Sequence, residues 1–284
     1  MDASGVVLVW RAASGWWRAG PAPVRLLVAD SWLLQQGRVR GLDLHRQRFR
    51  AACERAAGVP PEAVDRFWAC LVDRLPRTGD WFPRAELVAA AARRGNGRRL
   101  QLRLRIRPAP VRGDAVRVWT PAPQDPRLSP RIKGPDLDLL ADLRARAVAA
   151  GADEVLLRTR FGYALEGATA SMLWWEGGTL CLPDPALRLL PGVTAALLGQ
   201  AAADRDIPVR RVRRRLAALA GREVWFVNAL HGIRPVVAWV GSDLRPGPAV
   251  HAAQWRDWWD DRAEPLPGSP ATALPPAGVD VPAR

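Results

Sequence analysis

Residues 108–132 are rich in proline and carry no hydrophobic periodicity. Proline fixes φ and removes a backbone donor, so such a stretch breaks helices and fits poorly inside a sheet. It divides the 284 residues into two strand-and-helix halves, each long enough to bury a core of its own. The reading is an α+β chain. A small N-terminal α/β domain covers residues 1–112, an interdomain connection 113–130, and a larger C-terminal domain 131–248.

Periodicity places the elements within each half. Residues 1–55 read as strand, turn, strand and helix: Val24–Val28 is apolar, Gly37 turns the chain, and Val39–Leu44 leads into a helix starting near His45. Pro60-Pro61 opens a second helix with Val64, Phe67, Trp68 and Leu71 at helical spacing. Leu100–Arg107 alternates Leu and Ile with Gln and Arg, the pattern of a half-buried strand. Its arginine face is either solvated or turned on an anionic substrate. The second half predicts a helix over 136–150, strands at Glu154–Thr159 and Ala164–Leu165, and a hairpin of Met172–Trp175 with Thr179–Leu182. A helix after Pro191-Gly192 and strands at Glu223–Val227 and Val236–Val240 follow. Residues 265–284 hold six prolines and few large apolar groups, and are expected to be disordered.

Lys and Arg number 42 against 28 Asp and Glu, a net charge of +14, yet Lys133 is the only lysine. The chain is equally rich in Ala, Gly, Pro and Trp, so much of the charge reads as compositional bias. No nucleic-acid partner is expected. Cys53, Cys70 and Cys181 fit neither a metal motif nor a disulfide framework. No signal peptide is visible and no apolar run approaches a membrane span. The expectation is a cytoplasmic protein without a metal and without a membrane partner.

Four segments carry chemistry. Lys133 sits in Arg131-Ile132-Lys133-Gly134-Pro135-Asp136-Leu137. An arginine-biased chain that keeps one lysine invites a chemical reason, because a desolvated amine is a nucleophile and a guanidinium is not. Glu166, at the end of a predicted strand, could pair with a protonated pyridine nitrogen, although a turn glutamate is the ordinary reading. Leu190-Pro191-Gly192-Val193-Thr194 opens a helix whose free N–H groups and hydroxyl suit a phosphate. Arg48, in His45-Arg46-Gln47-Arg48-Phe49, could clamp a phosphate bidentately.

In this order and spacing the segments resemble the class IV pyridoxal-phosphate family, which includes branched-chain and D-amino-acid aminotransferases and aminodeoxychorismate lyase. The resemblance runs from about residue 25 to residue 240. It implies the two-domain D-amino-acid aminotransferase-like fold, pyridoxal 5'-phosphate as cofactor, a small-molecule amino substrate and a homodimer. Arg48 takes the place of the phosphate arginine and Lys133 that of the Schiff-base lysine. Glu166 takes the pyridine-nitrogen position, and Val193 and Thr194 the phosphate-binding element. The backbone at Asn228 and Ala229 completes the phosphate site.

The segment Asn228-Ala229-Leu230-His231-Gly232-Ile233-Arg234-Pro235-Val236 looks more like the lyase than the branched-chain enzymes, and Lys133-Gly134-Pro135-Asp136-Leu137 points the same way. Ser31 falls where the lyase has a hydroxyl near the reacting substrate. A serine at a strand end is as good a reading of it. The implied activity is conversion of 4-amino-4-deoxychorismate to 4-aminobenzoate and pyruvate, a step of folate biosynthesis. An aminotransferase for a branched-chain or D-amino acid and a catalytically silent relative are the alternatives. The chain departs from the family's pattern at Ala170, Ser171 and Ala195.

Overall fold

The computed structural model describes residues 5–20, 23–91, 98–120 and 124–268. The first half is built on a five-stranded antiparallel sheet in the order Gly15–Arg18, Val6–Arg11, Arg98–Ile106, Arg84–Ala91, Val24–Ser31. Helices α1 (Leu42–Ala57) and α2 (Pro61–Arg74) pack on it. Pro61 stands in the first turn of α2, where its missing N–H has no helical partner to lose. The spacing of Val64, Phe67, Trp68 and Leu71 then buries one face of α2 against Phe49 of α1 and against Val28, Leu87, Leu102 and Leu104 of the sheet.

The second half is an eight-stranded mixed sheet in the order Ala164–Gly167, Glu154–Arg158, Val116–Trp119, Gly232–Val240, Val224–Asn228, Ser171–Glu176, Thr179–Pro183, Val209–Val212. Helix α3 (Leu137–Ala149) buries Leu140, Leu143 and Ala147 with Val155, Leu157 and Leu165. Helices α4 (Val193–Ala203) and α5 (Ala252–Asp260) share a tryptophan-rich core with Trp175 and Trp225.

Three expectations change. Val116–Trp119, inside the stretch expected as a connection, is an interior strand paired in parallel on both sides. Val116 and Val118 are fully buried, and a four-residue strand among prolines is too short to show periodicity. The alternating strand does not expose a clean arginine face. Leu100 is exposed, whereas Arg103 is buried and donates from Nε and Nη2 to Gln101 Oε1 at 3.0 and 2.7 Å. Arg84 and Arg105 share Glu86, at 2.7 and 3.2 Å. Glu86, on the strand next to that of Arg105 and on the same strand as Arg84, supplies the carboxylate that lets these two arginines draw in from water.

The third change is at the C-terminus. The structured chain runs past residue 248 into α5, then crosses back to the first half. Glu264–Pro265 pairs with Arg38–Val39, and Leu266 is 1% exposed inside the first core. Residues 265–268 of the expected tail are therefore placed, while 269–284 lie outside the described residues. Arg40 Nε donates to the Trp259 carbonyl at 2.7 Å and fixes the crossing. No helix among the described residues is long and apolar enough to cross a membrane.

Leu266→Ala removes a fully buried side chain from a core it reaches only through this crossing. We expect a loss of about 2–5 kcal/mol, read as a lower urea midpoint.

Candidate active site

A cavity of about 420 Å³ takes its lining from both halves. It brings together all eight residues singled out in the sequence: Ser31, Arg48, Lys133, Glu166, Val193, Thr194, Asn228 and Ala229.

Lys133 is held by its backbone. Its carbonyl accepts the Ala29 N–H at 2.7 Å, which ties the lysine to the end of the Val24–Ser31 strand. Gly134 has φ +139, and a Cβ there would sit 2.9 Å from Ala29 N and Val28 Cα. Only glycine lets the backbones approach this closely. Asp136 accepts the N–H groups of Leu128 and Ser129 at 3.1 and 2.8 Å, fixing the approach to the lysine. Burial first, and then the positive charges of Arg48 and Arg84, lower the Lys133 ammonium to about 8 against the pull of Asp30 and Glu166. A useful fraction of the amine is therefore unprotonated near neutrality.

Arg48 is oriented by Asp30. Its Nε and Nη2 each donate to the Asp30 carboxylate at 2.8 Å, and Nη1 donates to the Pro191 carbonyl at 3.0 Å. A guanidinium has five N–H groups, so one on each terminal nitrogen remains for a ligand. Asp30 also bonds His45 Nδ1 at 2.6 Å. Burial opposes the charge on Asp30, yet Arg48 and His45 hold its carboxyl well below the usual range. Burial pushes His45 down, against the pull of Asp30.

Glu166 Oε1 accepts Arg127 Nη1 at 2.7 Å and Leu190 N–H at 2.9 Å. Oε2 takes neither bond. Burial raises the Glu166 carboxyl despite Arg127. Arg127 is shared with Asp125, whose Oδ1 accepts Nε at 2.8 Å. Beneath this pair the buried Glu154 accepts the N–H groups of Ala168 and Thr169 at 2.9 and 3.2 Å, which shapes the turn after Glu166.

The start of α4 has no side-chain cap, so its first N–H groups stay open to a ligand. Thr194 is buried there. Gly192 precedes it, and a Cβ on Gly192 would fall 2.2 Å from Ser171 Oγ. Ser171 thus fills the space beside the helix start. Asn228 Oδ1 accepts the N–H groups of Leu230 and His231 at 3.1 and 2.8 Å, and its Nδ2 donates to the Thr169 carbonyl at 3.2 Å. Ser31 ends its strand buried at the cavity wall. Arg107 reaches the same cavity, donating to the Phe82 carbonyl at 3.3 Å and lying over that ring at 5.0 Å.

An open helix start with a nearby guanidinium suits a phosphate, a buried carboxyl with a spare oxygen suits a pyridine nitrogen, and a desolvated amine suits an aldehyde. The residues fit pyridoxal phosphate. Sequence reasoning missed Asp30, Arg127 and His231. Asp30 was legible as a charge at the end of an apolar strand. Arg127, in a proline-rich segment without periodicity, gave no signal.

The model of the class IV amino-transferases matches residues 27–239. The chain belongs to that family. Its members are enzymes that use pyridoxal phosphate, and so is this chain. An aminotransferase described as hypothetical, from Mycobacterium tuberculosis and in apo form, matches at 20% identity with TM-score 0.75. The match covers 91% of this chain and 98% of that one. The branched-chain amino acid aminotransferase of Escherichia coli matches at 16% with TM-score 0.74, over 91% and 94%. A structure described as a candidate 4-amino-4-deoxychorismate lyase, from Legionella pneumophila, matches at 16% with TM-score 0.71, over 85% and 91%. At these identities the likeness is one of fold. No curated protein matches the sequence.

Arg127→Met leaves Glu166 buried without its cation. Breaking a buried pair in this way costs about 3–5 kcal/mol. We expect that loss in urea unfolding, together with weaker uptake of pyridoxal phosphate followed by its visible absorbance.

Proposed function

We propose that this enzyme is an aminodeoxychorismate-lyase-like member of the family, releasing pyruvate and leaving 4-aminobenzoate. The observation that carries this reading is the cavity's lining. It joins Lys133 and the Ser31 hydroxyl, and its one-turn Asn228-Ala229-Leu230 corner is closed by the Asn228 side chain. An aminotransferase would share Arg48, Lys133 and Glu166, and branched-chain aminotransferases stand among the structural relatives.

In this reading Lys133 Nζ would hold the cofactor's aldehyde carbon. Arg48, Val193, Thr194 and the backbone at Asn228-Ala229 would hold its phosphate, and Glu166 its pyridine nitrogen. Bound there, pyridoxal phosphate supplies an electron sink for the charge left when a bond next to the substrate nitrogen breaks. Lys133 Nζ, once free, would take the proton from the substrate carbon that bears the amino nitrogen. Glu166 Oε2 would accept a hydrogen bond from a protonated pyridine nitrogen, since Oε1 takes the Arg127 and Leu190 bonds. Ser31 Oγ relays a proton to the departing three-carbon group, which leaves as pyruvate. Asp30 and Arg127 bind nothing in this scheme but orient Arg48 and Glu166. In this reading the enzyme works in the cytoplasm, and the family resemblance implies a homodimer.

Borohydride reduction of the cofactor-treated protein, followed by peptide mapping, should place the label on the peptide bearing Lys133. Capture should rise with pH and reach half its maximum near pH 8, because the amine must lose its proton to react. A label elsewhere overturns the assignment. With aminodeoxychorismate the cofactor should return to its aldehyde form each turnover. Accumulation of pyridoxamine phosphate that is discharged by keto acids makes the enzyme an aminotransferase instead.

A further inference from the structure

His231 lines the cavity but has no part in the chemistry above. It sits at the corner between the Val224–Asn228 and Gly232–Val240 strands, with its own N–H tied to Asn228 Oδ1 at 2.8 Å. Its ring is fixed by a second bond. Nδ1 accepts the Gly113 N–H at 3.1 Å, from the segment that leads into the Val116–Trp119 strand. A ring nitrogen that accepts a backbone N–H carries no proton, so the neutral ring bears its single proton on Nε2. Nε2 bonds no described residue. The charged groups around the ring are Arg112, Arg144 of α3, Arg234 of the following strand and, opposing them, Asp153. Burial first, and then the three arginines, lower His231 to about 4, so it stays neutral at ordinary pH.

The geometry presents one N–H in a fixed direction, in surroundings that carry excess positive charge. Arg144 and Arg107 line the same cavity. An anionic oxygen gains from both the donor and the field, and a neutral acceptor gains mainly from the donor. We propose that His231 is a specificity-determining residue that donates its Nε2–H to a carboxylate oxygen of the substrate. The inference rests on the reading of this cavity as the substrate site. It adds the residue and the tautomer that meet the carboxylate such a substrate carries.

The test uses the full chain loaded with pyridoxal phosphate and titrated calorimetrically with succinate, which carries carboxylates but no amine or carbonyl. Wild type should bind succinate saturably, and the uncharged diamide should bind much more weakly. His231→Ala should weaken succinate by at least about tenfold, the usual range for a lost hydrogen bond to a charged group. His231→Gln, whose amide N–H can replace Nε2–H, should stay within about threefold of wild type by the same reasoning. The ratio of wild type to His231→Ala should be flat from pH 5.5 to 8, because the ring does not titrate there.

Equal binding by wild type and His231→Ala overturns the proposal. So does a failure of wild type to bind, or a ratio that climbs as pH falls below the ordinary histidine range, which would make the donor an imidazolium. Thermal melts of both variants separate loss of binding from loss of fold. The cofactor assignment fails separately. If borohydride leaves Lys133 unlabelled while the succinate contrast persists, His231 keeps its role and the Schiff-base reading falls.

Discussion

The contact between Ala29 N–H and the Lys133 carbonyl, 2.7 Å long, is where the two halves of this enzyme become one site. Each half buries its own core, and neither contains all of the chemistry. Ser31, His45 and Arg48 belong to the first half, and Lys133, Glu166 and Thr194 to the second. Fixing the lysine's backbone to the same strand that ends in Asp30 and Ser31 sets the amine against the first half's charges. Gly134 is the residue that permits it, since any side chain there would strike the backbone of Val28 and Ala29. A second tie runs through Arg48, which spans from Asp30 in the first half to the Pro191 carbonyl before α4. A third is the C-terminal crossing that plants Leu266 in the first core. Catalytic groups must be held to within a fraction of an ångström, and ties at several points resist rotation of one half against the other better than one does.

Much of the site was legible because its residues sit at element boundaries that leave clear marks. Pro191-Gly192 announces a helix start, and an alternating run ends near Arg107. His45 and Arg48 fall one helical turn apart, so a face of α1 could be inferred. What stayed hidden depends on contacts between segments distant in sequence. Arg127 and Glu166 are 39 residues apart and meet only because the proline-rich segment folds back over the sheet. Val116–Trp119 is too short for its period to rise above its surroundings, and only its partners on both sides make it a strand. The burial of Arg103 could not be read from alternation, because the carboxylate that compensates this arginine cluster lies on another strand. Helix α5 would have required reading its four-residue spacing of Trp255 and Trp259 as a core face, in the stretch between the second domain and the expected tail.

Two buried carboxyls, Asp30 bonded to Arg48 and Glu166 on the cavity wall, are shifted in opposite directions. Asp30 faces both Arg48 and His45, and their attraction overcomes its burial. Glu166 is buried as well, but Arg127 divides its bonds between Glu166 and Asp125, and burial prevails. Asp30 therefore stays ionised and serves as a fixed counter-charge that aims a guanidinium. Glu166 is therefore harder to ionise than a free carboxyl, with Arg127 opposing the shift. Environments that push two like groups apart in this way mark functional roles more reliably than residue type does. The same logic extends to the two bases. Lys133 is lowered enough to be reactive and His231 enough to stay neutral, each by burial first and arginines second. The arginine bias that looked like a property of composition thus adds, inside this cavity, to the burial that lowers an amine and an imidazole.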